Sequence, residues 1–252
     1  MSATLSYVFC LLRGARRPAL RGITDGMPGG GALRAIDVGG GLWAIVQSVP
    51  EPEYGEAALA RGLQNLDWVG PRAIAHERVI ESFLSAAALL PMQLFTLFTS
   101  DDRVVEHVRS DRARIARILK RIEKKVEWGV RLTWNEQAAR EKAASTPVRS
   151  GTEFLARKRD VLDVSRRRLA EARTAANRVY KAIDRQAAAS QRRTSLERAA
   201  PGSRLLLDAA FLVAASKSGA FKTAIREETR TLRGTGIETS LTGPWPAYNF
   251  IQ

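Results

Sequence analysis

Two histidines and one cysteine are all that 252 residues offer of the side chains most used for metal binding and nucleophilic chemistry. A lone Cys10 excludes an intramolecular disulfide framework and any multi-cysteine zinc site, and points to a reducing, cytosolic setting. Acidic residues are also scarce. There are 26 of them against 40 lysines and arginines, a net charge of +14, which suits an anionic or acidic partner without naming one. Long apolar runs are missing too: the longest, FLSAAALLPMQLFTLF over 83–98, falls short of the ~18–20 residues of a spanning helix and holds Pro91 and Gln93. At the N-terminus the apolar run of residues 5–12 precedes Arg13, Arg16 and Arg17, the reverse of a signal peptide's order, so no export is expected. No nucleotide-binding glycine loop, zinc-protease helix or serine-hydrolase elbow is present.

What is present is a mixture of strand-like and helix-like periods. Residues 5–12 form a β-rich run read as a strand, and LRAIDVG and LWAIVQSV, separated by Gly39, Gly40 and Gly41, form a predicted hairpin. VPEPEYG is expected as a loop, 56–65 and 71–87 as helices, and LLPMQLFTLF as one strand. Ser100 then caps a helix whose stripe is Val104, Val108, Ile115, Ile118 and Ile122. In VEWGVRLTW, Val126, Trp128, Val130, Leu132 and Trp134 share one parity, and a short helix is expected over 135–144.

A long helix is predicted over about 152–192, with Leu155, Leu162, Leu169, Ala176 and Ile183 recurring every seventh residue. At ~1.5 Å per residue it would span roughly 60 Å and outreach a typical strand of ~20 Å. TSLERAA and LLLDAAFLVAAS suggest a second hairpin, followed by a helix bearing Phe221, Ala224, Ile225 and Leu232 and a last strand IETSLTGPW. The expected class is therefore α+β with two domains. Residues 1–125 form a mixed α+β domain, and 126–252 form a ferredoxin-like (βαββαβ) domain with a protruding basic helix and an aromatic, proline-containing tail. The halves differ in charge: 17 basic against 13 acidic residues in the first, 23 against 13 in the second.

Little chemistry remains to be assigned. The glycine runs at 29–31 and 39–41 precede strands, so they read as turns rather than phosphate cradles. His76 shares a helical face with Ile80 and Phe83 and is expected as a satisfied, partly buried side chain; His107 has no recognisable partner, and Cys10 reads as an inert buried thiol. No catalytic set, cofactor, metal or small-molecule substrate is expected. Candidate partner-binding residues are Arg157, Lys158, Arg166, Arg167 and Arg168 on the long helix, which present charge around much of its circumference, and Trp245, Tyr248 and Phe250 in the tail. The tail aromatics would otherwise be exposed, so they either clasp the first half of the chain or meet a partner.

The ending LTGPWPAYNF resembles the G-P-W-P-P-Y-x-F ending of the gas vesicle F/L family. LWAIVQSVP with Tyr54, AIAHERVI, LLPMQLFTLF, EWGVRL, SGTEFLARKR and AAFLVAAS agree with that family in the same order, over nearly the whole chain. Two departures stand out: Gln93 and Phe95 follow Pro91 where the family tends to read Pro-x-Arg-x-Gly, and Ala247 replaces the second tail proline. The resemblance implies a two-domain α+β protein that takes part in gas vesicle assembly or sits on the inner side of the shell. Its expected partners are the small hydrophobic shell subunit and sister accessory proteins, with no membrane and no catalysis. Nucleic-acid binding by the basic second half is the competing expectation; no strand there carries the aromatic-and-glycine pattern that stacks bases.

Overall fold

The computed structural model describes residues 3–23, 26–135, 151–194 and 202–251, with the side chains of 151–165 excepted. It divides into two compact units, Met1–Val126 with Trp245–Gln252, and Glu127–Pro244. The last eight residues, Trp245–Gln252, fall in the first unit. Each unit is built on one antiparallel sheet, so the class is α+β.

In the first unit the sheet order is β2 (Leu33–Gly39), β3 (Leu42–Pro50), β1 (Thr4–Arg13), β4 (Ala88–Pro91), with β5 (Leu97–Phe98) also on β1. Strand β1 is central and buried from Ser6 to Leu12, which is why it reads as a continuous apolar run. The β2–β3 turn takes Gly39, Gly40 and Gly41 through positive φ, a conformation that favours glycine. Gly26 and Gly30 have a different reason to be glycine: a Cβ on either would lie 2.5–2.6 Å from the Gln47 side chain. Gln47 is buried, accepting from Met27 N–H at 2.6 Å and donating to Gly31 O at 2.6 Å. The glycine-rich loop thus wraps a side chain of its own sheet.

Several expected boundaries shift. VPEPEYG holds a one-turn helix, α1 (Glu51–Tyr54), and Tyr54 fixes it by donating to Pro28 O at 2.7 Å. After α2 (Glu56–Gly62), α3 runs from Leu66 to Glu81 rather than 71–87, because Asn65 supplies the cap by accepting from Asp67 N–H; Pro71 is therefore interior. LLPMQLFTLF is two strands, not one. Phe95 adopts φ 64° and donates its N–H to Tyr7 Oη at 3.2 Å, breaking the run between β4 and β5. The expected helix after Ser100 is broken at Asp111 into α4 (Asp101–Ser110) and α5 (Arg112–Ile122), yet its stripe, Val104, Val108, Ile115, Ile118 and Ile122, is buried throughout. Asp101, at the start of α4, accepts from Ser6 Oγ at 2.6 Å and Arg34 Nη2 at 2.8 Å. Burial alone would raise its carboxyl; the bonds from Arg34 and Ser6 leave it below the ordinary value.

The second unit runs β6 (Lys125–Asn135), α6 (Gly151–Asp184), β7 (Ala189–Arg192), β8 (Ser203–Ala214), α7 (Ser218–Arg230) and β9 (Ile237–Trp245), with sheet order β7-β8-β6-β9. The five same-parity residues from Val126 to Trp134 are buried. The predicted long helix ends at Asp184, since Ala189–Arg192 pairs with Ala209–Leu212 as an antiparallel strand. Most of TSLERAA and the helix expected at 135–144 fall outside the described residues. At 34 residues α6 spans about 50 Å. Strand β8, at 12 residues, spans about 40 Å. Ala172, Ala176, Val179 and Ile183 form the buried stripe of α6, and Phe221, Ile225 and Leu232 that of α7 and its following turn.

Candidate functional site

Helix α3 carries a buried histidine and a half-buried glutamate of the first unit. Its buried face holds Ala75, His76, Val79 and Ile80, a 3.6-residue stripe that turns His76 into the core between Tyr7 and Phe9. The His76 and Phe9 rings stack with centroids 5.7 Å apart, and Tyr7 meets His76 edge-on at 5.6 Å. Nε2 of His76 lies 3.1 Å from Met92 O, an acceptor only, so Nε2 carries the proton and Nδ1 accepts from the Tyr7 hydroxyl at 2.8 Å. Tyr7 Oη in turn accepts from Phe95 N–H. Desolvation lowers the His76 pKa to about 4, partly opposed by the bond to Met92 O. Burial pushes the Tyr7 phenol and the Cys10 thiol well up. His76 and Tyr7 are hydrogen-bonded and neutral and hold the 92–95 turn on α3, and Cys10 is a buried thiol, as expected for His76 and Cys10 from sequence.

One residue further along α3, about 100° around the helix, Glu77 is half-buried at the rim of that face. Tyr248 donates to its Oε2 at 2.6 Å, whereas Oε1 is screened from solvent and has no hydrogen-bond partner among the described residues. Desolvation raises the Glu77 pKa; the bond from Tyr248 opposes this, and the charge of Glu81 adds to it. Beside this carboxyl lies a cleft of about 390 Å³, walled by His76, Glu77, Met92, Leu94, Tyr248 and Ile251 among others. The tail closes one side of it. Phe250 is buried and its carbonyl accepts from Arg121 on α5; Tyr248 and Ile251 are half-buried.

The predicted partner-binding residues fall into two groups. Of the tail residues, Trp245 is half-buried and ends strand β9, while Tyr248 and Phe250 lie in a 3-10 turn within the first unit. Pro244 stands in β9, which is an edge strand and so tolerates the missing N–H. Arg166 and Arg167 are exposed and Arg168 is half-exposed on α6. Arg157 and Lys158 lie on the same helix, with side chains outside the described residues. Sequence reasoning missed Glu77 and Met92 as site residues. The available signal was a glutamate beside a core histidine, at the rim of a helix's apolar face. Among the described residues no group of three or more His, Cys, Asp or Glu could hold a metal ion, and no helix is long and apolar enough to cross a membrane.

Comparison with known proteins gives a consistent result. The family model for gas vesicle synthesis protein GvpL/GvpF matches residues 5–252. Gas vesicle protein L of Streptomyces sp. (strain CB03234) is 30% identical over 221 residues, covering 84% of this chain and 80% of that protein. In fold, the chain is similar to the crystal structure of gas vesicle protein GvpF from Anabaena sp. PCC7120, with a TM-score of 0.70 at 13% identity, covering 99% of this chain and 96% of that one. It is also similar to that of GvpF from Microcystis aeruginosa, with a TM-score of 0.65 at 13% identity over 100% of both chains.

Proposed function

This chain belongs to the gas vesicle synthesis protein GvpL/GvpF family, and on that premise we propose that it is a non-catalytic assembly or minor shell-associated protein of gas vesicles. It binds the small hydrophobic shell subunit, sister accessory proteins, or both. The observation that carries this reading is the extent of the family match: it runs from residue 5 to residue 252 and so includes both units and the tail.

A subunit able to line a gas-filled space exposes apolar surface before it polymerises, and shielding that surface requires a partner with apolar surface of its own. Leu66 and Ile74 on α3 and Leu63 just after α2 are large apolar side chains that are exposed, which supports such a role. The absence of catalysis is supported by the condition of the reactive groups, since His76 is neutral and doubly bonded and Cys10 is buried. For the second unit we propose the ferredoxin-like arrangement, supported by its βαββαβ order and by a sheet in which the first and third strands are central. The protein acts in the cytoplasm in association with vesicles, on the inner face of the shell where it is retained.

Deleting the gene from its cluster tests the reading. Vesicles should be lost or malformed while shell-subunit transcription is unchanged; normal buoyancy in the deletion strain overturns it. Stripping purified vesicles with urea and probing both fractions for this chain separates retention in the shell from a purely assisting role.

A further inference from the structure

Helix α3 has two apolar faces where a surface helix needs one. At about 100° per residue, His76, Val79 and Ile80 define the buried face, and Leu66, Gly70, Ala73 and Ile74 gather on a separate stripe. Its two large side chains are uncovered, Leu66 at 85% exposed and Ile74 at 55%, while Gly70 and Ala73 are half-buried. Glu77 and then Glu81 continue the same stripe toward the helix C-terminus, an acidic end to an apolar track in a chain of net charge +14. There the stripe enters the cleft described above, whose other walls include Pro91, Met92, Leu94 and Ile251.

A buried carboxyl oxygen without a donor is destabilising, and two acids on adjacent turns add repulsion. A cationic donor brought into the cleft relieves both. The torsion that turns a glutamate's carboxyl is broad and soft, so a small turn presents Oε1 to such a donor while Tyr248 stays within reach of the group. Room is available, since about 390 Å³ exceeds a water molecule's ~30 Å³ share of the liquid by an order of magnitude.

We propose that the α3 stripe from Leu66 to Glu81, together with this cleft, is a docking surface for a partner-protein segment in which apolar side chains are followed by a lysine or arginine. The apolar part lies along Leu66, Ala73 and Ile74; the cation enters between Glu77 and Glu81. The tail, through Tyr248 and Ile251, serves as a wall of the site. This inference rests on the reading of the chain as an interaction protein and specifies the chemistry of one surface.

The test uses the full-length protein and two blocked amphipathic nonapeptides of leucine and alanine, one carrying a single arginine and the other citrulline at that position. Methyl NMR of Met92 and Ala73 reports occupancy. The arginine peptide should shift both methyls and bind at least fivefold more tightly than the citrulline peptide. In the Glu77→Gln/Glu81→Gln protein that advantage should vanish, whereas Leu66→Ser/Ile74→Ser, at exposed positions, should weaken both peptides alike. Equal affinity for the two peptides, an arginine advantage that survives the double glutamine change, or methyls unmoved by either peptide at millimolar concentration overturns the proposal. None of those outcomes bears on whether the deletion strain makes vesicles, so this surface and the vesicle role can fail separately.

Discussion

Tyr248 and Glu77, 171 residues apart in sequence, share a 2.6 Å hydrogen bond that ties the C-terminal tail to helix α3. The bond is directional: the phenol donates, the carboxyl accepts, and burial pushes the Tyr248 hydroxyl well up so that it keeps its proton. Phe250, two residues on, is buried and its carbonyl accepts from Arg121, so the tail is held by both apolar and polar attachments.

Removing those attachments separately should give graded losses. Phe250→Ala should destabilise the protein by about 3 kcal/mol, the low end for a buried phenylalanine, because a chain end can readjust. Tyr248→Phe should cost about 1–2 kcal/mol, since it leaves both carboxyl oxygens of Glu77 without a donor among the described residues. At roughly 2–4 °C per kcal/mol, a thermal melt resolves the two; melting temperatures equal to wild type in both variants would show that the tail is held elsewhere.

The parts of this fold legible in the sequence are those where one period dominates. β1, the β2–β3 hairpin, β6 and β9 were readable because alternation, or a continuous apolar run bounded by glycine, leaves no competing helix. Where tertiary contacts override local preference, the reading failed. Phe95 is an apolar residue in an apolar run, yet its positive φ, its bond to Tyr7, 88 residues away, and the turn closed by Thr96 on Gln93 O interrupt that run. Residues 189–192 continue a helical composition yet form β7, because β8 offers them a ladder. The tail aromatics were recognisable as needing cover, but their partners on α3 and α5 were not, since a single polar pair leaves no periodic trace. Glu77 illustrates the limit: its role depends on the tail.

Asp208 provides a test in the second unit. Its carboxyl is 3% exposed and accepts from Arg131 at 2.9 Å and Arg193 at 2.5 Å. Burial alone would raise its pKa; the bonds from the two arginines overcome that and hold it below the ordinary value. Asp208→Ala removes from β8 the carboxylate that Arg131 of β6 and Arg193, just beyond β7, share. The expected loss is about 2 kcal/mol, below the 3–5 typical of a broken buried pair because both arginines are about a third exposed. Urea unfolding measures it; a loss under about 0.5 kcal/mol would mean that water replaces the carboxylate.

For α6, replacing Arg166, Arg167 and Arg168 by glutamine should weaken capture of the vesicle partner and flatten the salt dependence of binding, as removal of surface charge from an interface does. Stability should change by less than about 1 kcal/mol, since Arg166 and Arg167 are exposed. Unchanged affinity and salt slope would identify the stretch as a solvated face.

His76 makes stability depend on pH in a defined window. In the unfolded chain it takes up a proton near 6.5, and in the folded protein only near 4, because desolvation disfavours the imidazolium. Between those values the unfolded state binds more protons, so stability falls as pH falls; above about 6.5 the contribution is fully present. The difference amounts to about 3 kcal/mol across the window. Other groups act in the same range and must be subtracted. Glu77, whose pKa is raised, favours the folded state as it protonates, while Asp101 and Asp208, whose pKa values are lowered, keep stabilising the fold until pH drops below the carboxylate range. Comparing wild type with His76→Gln isolates the histidine. The variant should be less stable at pH 7, through loss of the ring's packing and its bonds to Tyr7 and Met92 O, and its stability should decline less than wild type from pH 6.5 to 4. Nitrogen NMR of the imidazole gives an independent reading: at pH 5 the ring should be neutral with the proton on Nε2. An imidazolium signal at that pH, or parallel stability curves for the two proteins, would mean that the ring exchanges its core position for water before it titrates.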